Sequence, residues 1–169
     1  HFLITEWNIA NKKITVLYEG VEVEREMRDE RASCLKSSHE AFSILYVGGM
    51  TSYDGVDVLV RAFARVAERF KDVKLRIATF ASEKQCLHLK ELCQHLGIAH
   101  KVEFYCSITG QVARNLVRNS DIAIIPRKRI LSTELTTTSV IFLYMSESIP
   151  VICPKLKAIL ELMNGNALF

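Results

Sequence analysis

The chain lacks most of the features that would assign a function at sight. Its 169 residues carry 22 basic and 19 acidic side chains, a net charge of +3. That balance is too even to argue for a nucleic acid as the principal partner. Cysteine is scarce and odd in number: Cys34, Cys86, Cys93, Cys106 and Cys153, with no CxxC pair among them. Neither a metal-thiolate site nor a disulfide framework is expected from that spacing, and a reducing, cytoplasmic setting fits it better. No apolar run reaches the roughly 20 residues that a membrane-spanning helix needs. The chain opens HFLITEW, with no Met and no signal-peptide pattern, and reads as a piece of a longer protein. There is no internal repeat and no low-complexity tract. No Ser/His/Asp or Cys/His arrangement can be defended from spacing. His88, His95 and His100 lie on or beside the polar side of one expected helix, where a metal role is not expected.

What is present is an alternation of two hydrophobic periods. At 49% hydrophobic and 24% charged, the chain has the composition of a globular domain with a full core. Short apolar runs at 14–20, 42–48, 74–80, 101–106, 121–126 and 150–153 read as strands. Between them lie stretches of helical period. Residues 56–71 place Leu59, Ala62, Phe63, Val66 and Phe70 on one stripe. Cys86, Leu89, Leu92, Cys93 and Leu96 form another, which stops at Gly97. Thr109 can cap a helix running to about Arg118. Helices are also expected over 134–147 and 158–163, and residues 21–41 read as a charged surface connection. Strands alternating with helices imply an α/β domain, a doubly wound parallel sheet with helices on both faces. Such sheets bind ligands beyond the carboxyl ends of their strands, where the strand order reverses.

Four loops follow strands at that edge. GGMTSYDG (48–55) has glycines that admit close backbone approach, ahead of a helix N-terminus. It matches neither GxxxxGK[ST] nor GxGxxG, so a tight strand-to-helix turn is the plainer reading of the motif alone. FASEK (80–84) offers Ser82 as a helix cap. CSITG (106–110) either presents main-chain groups to a flat base or is a plain connection. PRKRILSTELTTTS (126–139) joins Arg127, Lys128 and Arg129 to Glu134 and a hydroxyl cluster at Thr136, Thr137, Thr138 and Ser139. Guanidinium and ammonium groups suit phosphate oxygens, and a solvated loop leading into a helix cap is the plainer alternative.

Taken in order, these segments resemble the C-terminal, donor-binding domain of a family 4 (group 1) retaining glycosyltransferase of the GT-B type, which is built from two Rossmann-like domains. NKKITVLYEGVEVE (11–24) is similar to that family's first strand and the turn after it. ILYVGGMTSYDGVDVLVRAF (44–63) resembles its glycine loop and first helix. LKELCQHLGIAHKVEFYCSITGQVARNLVRNSDIAIIP (89–126) follows its helix–strand–helix–strand series, and FLYMSESIPVI (142–152) the end of its donor-binding helix and the next strand. The resemblance implies that residues 1–169 are a single Rossmann-like domain, the nucleotide-sugar half of a longer two-domain chain. It implies transfer of a sugar from a nucleotide diphosphate to an acceptor glycan or lipid, with retention and without a metal or other cofactor. The acceptor would be met through a domain outside this sequence, as would any peripheral membrane contact. The implied donor-binding residues are Gly48, Gly49, Thr51, Ser107, Ile108, Arg127, Lys128, Arg129, Glu134, Thr136, Thr137 and Thr138; no catalytic residue is assigned.

The departures from the family pattern fall on the chemistry. Gly49 stands where the family has arginine, and Asp54 where it has lysine. Two glutamates flanking the last binding helix fall on Leu135 and Leu143, with Glu134 one residue from the first. An aspartate close to a diphosphate is repulsive, by about 1–4 kcal/mol depending on screening. Two readings follow. In one, Arg127, Lys128 and Arg129 replace the missing cations in a divergent transferase. In the other, the domain has kept its fold, lost its donor site and acts as a partner or scaffold in glycan assembly. An unrelated doubly wound sensor is a weaker third reading.

Overall fold

A computed structural model describes residues 5–8, 10–15, 17, 20, 21 and 41–163. The described residues form one five-stranded sheet. Its strands are β1 (Phe42–Gly48), β2 (Val73–Thr79), β3 (Val102–Tyr105), β4 (Ile122–Ile124) and β5 (Val151–Ile152), in the spatial order β3-β2-β1-β4-β5. Every pairing is parallel. The helices are α1 (Val56–Arg69), α2 (Glu83–His95), α3 (Gly110–Arg118), α4 (Leu131–Leu135), α5 (Val140–Ser146) and α6 (Lys157–Met163). This is the doubly wound Rossmann-like arrangement that the alternating periods imply.

The two faces of the sheet bury separate cores. Alternate residues of β1 divide between them: Ile44 and Tyr46 face one way, Leu45 and Val47 the other. The first core joins Ile44 and Tyr46 to Val56, Leu59, Val60 and Phe63 of α1 and to Leu89 and Cys93 of α2. The second joins Leu45 and Val47 to Ala113 and Val117 of α3, Ile141 and Tyr144 of α5 and Ile159 of α6. A strand buried on both faces is nearly continuously apolar, which is why FSILYVG carries no polar–apolar alternation; its one buried polar residue, Ser43, donates its hydroxyl to Asp121 Oδ2 at 2.8 Å. The helical stripe of 56–71 is rotated from its expected position. Val60 and Ala64 are buried, whereas Ala62 and Phe70 lie outside the core.

Helix ends follow local chemistry. Gly97 takes φ +69° after α2, and Ile98 N–H closes onto the Cys93 carbonyl at 3.0 Å. The Thr109 hydroxyl accepts the Val112 N–H at the start of α3. At the start of α2 the Gln85 carboxamide oxygen accepts both the N–H and the hydroxyl of Ser82 at 3.0 Å.

Two expectations need correction. The single helix over 134–147 is two, because Thr136 is extended (φ −127°, ψ 139°) and ends α4. The β-branched run Thr136–Thr138 disfavours helix at that point. Of the strand expected over 14–20, the described residues Ile14, Thr15, Leu17 and Gly20 are not in a strand, and a short 3-10 turn, Asn11–Lys13, precedes them. The remaining residues of that segment lie outside the described residues, as does most of the connection over 21–41.

Candidate functional site

The chain winds from β1 outward to β3 on one side, and β4 and β5 occupy the other. The reversal therefore falls between β1 and β4, and the loops leaving those two strands meet there. Gly55, at the end of the first loop, takes φ +73°. A Cβ on it would stand 1.9 Å from the carbonyl oxygen of Pro126 in the second loop. Next to this contact, Lys128 N–H donates to the Tyr53 carbonyl at 2.9 Å.

Within the first loop, the hydroxyl of buried Tyr46 donates to the Gly49 carbonyl at 2.7 Å. A Cβ on Gly48 would lie 2.4 Å from that hydroxyl, so any side chain there must displace the Tyr46 ring end. Burial, and next the charge of Asp54, push the Tyr46 phenol well above its ordinary value, while Arg127 opposes the shift. It is therefore a fixed hydrogen-bond donor. The Asp54 carboxylate is turned inward on its own loop. Its Oδ2 accepts from Thr51 N–H at 2.9 Å and from the Thr51 hydroxyl at 2.6 Å. A Cβ at Gly49 would meet the same oxygen at 2.8 Å. Glycine at 49 and aspartate at 54 are thus spatially coupled.

The three consecutive basic residues are not equivalent. Lys128 Nζ pairs with Asp57 Oδ1 at 2.9 Å, and this bond is the first cause holding the Asp57 carboxyl below its ordinary value. Arg129 Nε pairs with Glu134 Oε1 at 2.9 Å, and its Nη2 donates to the Lys155 carbonyl at 2.6 Å. Arg127 has no carboxylate partner among the described residues. Its guanidinium lies 5.9 Å from the Tyr53 ring centroid, and Nη1 donates to the Thr136 carbonyl at 3.1 Å. Its Nε is buried without a hydrogen-bond partner among the described residues.

Glu134 is fully engaged, since its Oε2 accepts the Lys157 N–H at 2.9 Å, at the start of α6. Thr136 donates its hydroxyl to the Ser132 carbonyl at 2.7 Å. Thr137 and Thr138 are half-buried, and their hydroxyls make no hydrogen bond to the described residues. Ser107 and Ile108 lie apart from the two loops, beyond β3 at the edge of the sheet. Ser107 takes φ +52° with its N–H on the Ala81 carbonyl, and Ile108 N–H reaches the Thr79 carbonyl while its side chain packs on the second core.

Sequence reasoning missed several residues that shape the site. Tyr46 is hidden in an apolar strand. Asp57 reads as one more helix-surface charge. Thr133, fully buried, donates to the Lys128 carbonyl at 2.6 Å and accepts the Ile130 N–H at 3.0 Å, closing the basic loop. A polar residue three places into a short helix was the only signal for it. A cavity of about 270 Å³ opens on the α2 side of the glycine loop, lined among others by Thr51, Asp57, His88 and Lys128. Arg127 faces Tyr53 and does not line it. Among the described residues, no group of three or more His, Cys, Asp or Glu side chains is placed to hold a metal ion. Among the same residues, no helix is long and apolar enough to cross a membrane.

Residues 41–169 match the family described as Glycosyl transferases group 1. The chain belongs to that family. A curated relative, an uncharacterized glycosyltransferase of Methanocaldococcus jannaschii, is 28% identical over 129 residues, which is 71% of this chain and 32% of the relative. This chain thus spans about a third of the length of that protein. Among solved structures, a glycosyltransferase from Rickettsia africae superimposes with a TM-score of 0.73 at 22% identity, over 98% of this chain and 44% of the other. Anabaena HepE, solved in complex with UDP-glucose, superimposes with a TM-score of 0.65 at 17% identity, over 88% of this chain and 40% of HepE. The C-terminal domain of the group 1 protein LpcC from Francisella tularensis gives 0.57 at 14% identity, over 82% of this chain and 68% of that domain structure. The group 1 domain described here therefore has the fold of one half of a GT-B enzyme, matching a C-terminal domain.

Proposed function

We propose that this domain is the donor-binding, C-terminal half of a retaining glycosyltransferase and takes a nucleotide diphosphate sugar at the β1/β4 switch point. The observation that carries the reading is Arg127. It is the one cation of the basic loop without a carboxylate partner among the described residues, and it sits where the two ligand-edge loops meet. In glycosyl transfer the bond from the anomeric carbon to the diphosphate oxygen breaks, and its electron pair leaves with the diphosphate. A fixed positive charge and fixed donors at that oxygen lower the barrier, the term that dominates in chemistry of this kind. Arg127 supplies the charge. Gly48 and Gly49 give the diphosphate close access to the backbone, and Thr137 and Thr138 supply hydroxyls. Lys128 and Arg129 shape the loop through Asp57 and Glu134. Ser107 and Ile108 line the neighbouring edge, toward the base. The acceptor, a glycan or lipid, is met through the part of the full protein that this chain does not include, and the setting is cytoplasmic.

A second reading has its own support. Asp54 occupies the glycine loop, and Glu134 has both oxygens tied to the fold, by Arg129 and by the Lys157 N–H. A domain with those features could have kept its fold as a non-catalytic partner in glycan assembly. Calorimetric titration of the protein with UDP, GDP, ADP and their sugar conjugates separates the two. Donor binding predicts that one nucleotide binds and that Arg127→Ala weakens it by about 10- to 100-fold. No heat with any nucleotide, from folded full-length protein, favours the scaffold.

A further inference from the structure

The thiols of Cys86 and Cys106 play no part in the proposed donor site, yet the fold brings them together. Cys86 lies in the first turn and a half of α2 and is fully buried. Cys106 directly follows β3 and is half-buried, so it is the thiol a dissolved reagent reaches first. Cys106 Sγ donates to Cys86 Sγ at 3.1 Å. The backbone holds the two segments in this apposition: Ser107 N–H bonds the Ala81 carbonyl at 2.9 Å, and Ile108 N–H bonds the Thr79 carbonyl at 3.2 Å. The connection before α2 and the loop after β3 are therefore anchored on either side of the thiol pair. A disulfide closes at about 2.05 Å, an approach of about 1 Å from the observed contact.

We infer that Cys86 and Cys106 are a reversible oxidation site, closed to an intrachain disulfide by thiol–disulfide exchange with a low-molecular-weight disulfide such as glutathione disulfide. The Cys106 thiolate attacks one sulfur of the reagent, forming a mixed disulfide and expelling one equivalent of thiolate. The Cys86 thiolate then attacks Cys106 Sγ and expels the second. Two protein thiols are oxidised, one disulfide is reduced to two thiols, and the two protein protons pass to the departing thiolates. Burial, and next the hydrogen bond with Cys106, push the Cys86 thiol up to about 12. The full burial of Cys86 beside half-buried Cys106 makes Cys106 the attacking residue and Cys86 the resolving one. Cys93 and Cys153 are buried and are expected to stay reduced.

The disulfide would fasten α2 to the loop that carries Ser107 and Ile108, on the same edge as the switch point. A consequence for nucleotide affinity rests on the donor-binding reading; the disulfide itself does not. The test is equilibration of the protein with glutathione disulfide, quenching with iodoacetamide, proteolysis and mass spectrometry. The expected product is a Cys86–Cys106 cross-linked peptide, two hydrogens lighter than the sum of the reduced peptides and lost on treatment with dithiothreitol. Cys86→Ser should stop at a glutathione adduct on Cys106, and its thermal transition reports that the fold is intact. Full alkylation of both cysteines would overturn the assignment, as would a persistent glutathione adduct on Cys106 in the unsubstituted protein or cross-linking of either residue to Cys34, Cys93 or Cys153. Nucleotide titration of the oxidised and reduced forms is read separately. Absence of binding in both would refute the donor site and leave the disulfide result standing.

Discussion

Gly55 and Pro126 interlock: the space in which a side chain at 55 would begin is occupied by the Pro126 carbonyl oxygen, 1.9 Å away. The left-handed backbone at Gly55 adds a second reason for glycine. Any side chain must push the loops after β1 and β4 apart. Gly55→Ala is expected to cost about 2–4 kcal/mol, measured by urea unfolding. Because the same contact aligns the two halves of the site, nucleotide affinity should fall in the fraction that remains folded. A loss below about 0.5 kcal/mol would show that the two loops are not held together here.

Glu134 distinguishes a strut from a ligand contact. One oxygen pairs with Arg129 and the other accepts the Lys157 N–H that opens α6. Glu134→Ala should lower stability by about 1–2 kcal/mol, through loss of a cap and of a partly buried ion pair. Nucleotide affinity should change less than about threefold. A tenfold loss of affinity with unchanged stability would instead place its carboxylate on the donor.

Tyr144 completes β1 from outside the sheet. Its hydroxyl, fully buried, accepts the Val47 N–H at 2.9 Å on the side where β4 is too short to pair with it. Tyr144→Phe leaves that amide buried without a partner and should cost about 1–3 kcal/mol by chemical denaturation. A near-neutral effect would mean that the amide finds another acceptor.

Asp57 and Glu103 set a pH dependence at the acid end. Asp57 lies below its ordinary value of 3.8, first because of its hydrogen bond with Lys128. For Glu103, desolvation acts upward and is outweighed by hydrogen bonds from Lys74 and Tyr105 and the charges of Lys74 and Arg76. Both groups thus have folded values below their unfolded ones. Their contribution to stability is complete above the unfolded values, near pH 4, and is lost as pH falls through the lower folded values. It is small, since both pairs are partly exposed. Carboxyl carbon NMR should find both titrations displaced downward, and Lys128→Met should return Asp57 toward 3.8. An undisplaced Asp57 would mean that the Lys128 pair does not persist in solution.

The strands and most helices of this domain were legible because their periods are local. FSILYVG announces a strand buried on both faces, and Gly97 ends its helix by its own conformation. The site was only half legible. That the loops at 48–55 and 126–139 matter followed from composition, but that they touch depends on strand order, which no local pattern encodes. Arg127, Lys128 and Arg129 are indistinguishable in sequence. What separates them is pairing at a distance, with Asp57 lying 71 residues before Lys128. Tyr46 was invisible because its hydroxyl sits on an otherwise apolar strand, and the break at Thr136 because hydrophobic spacing continues across it.

The two unusual residues of the glycine loop give the last prediction. Asp54 Oδ2 holds Thr51 through two hydrogen bonds and lies 2.8 Å from the place a Cβ at 49 would take. Gly49→Arg alone must displace the carboxylate, a flexible group, but at the expense of both bonds to Thr51. Asp54→Lys alone removes the same bonds and leaves the turn unsupported. Once the first substitution has displaced Asp54, the second has nothing left to break. The double-mutant cycle should therefore be non-additive by about 1 kcal/mol or more in stability. On the donor-binding reading, Gly49→Arg with Asp54→Lys also places two cations beside the diphosphate and should tighten nucleotide binding by about tenfold, measured by calorimetry at fixed ionic strength. Additive stabilities would show that the two positions are independent. Unchanged affinity in the stable double variant would place the diphosphate away from this loop.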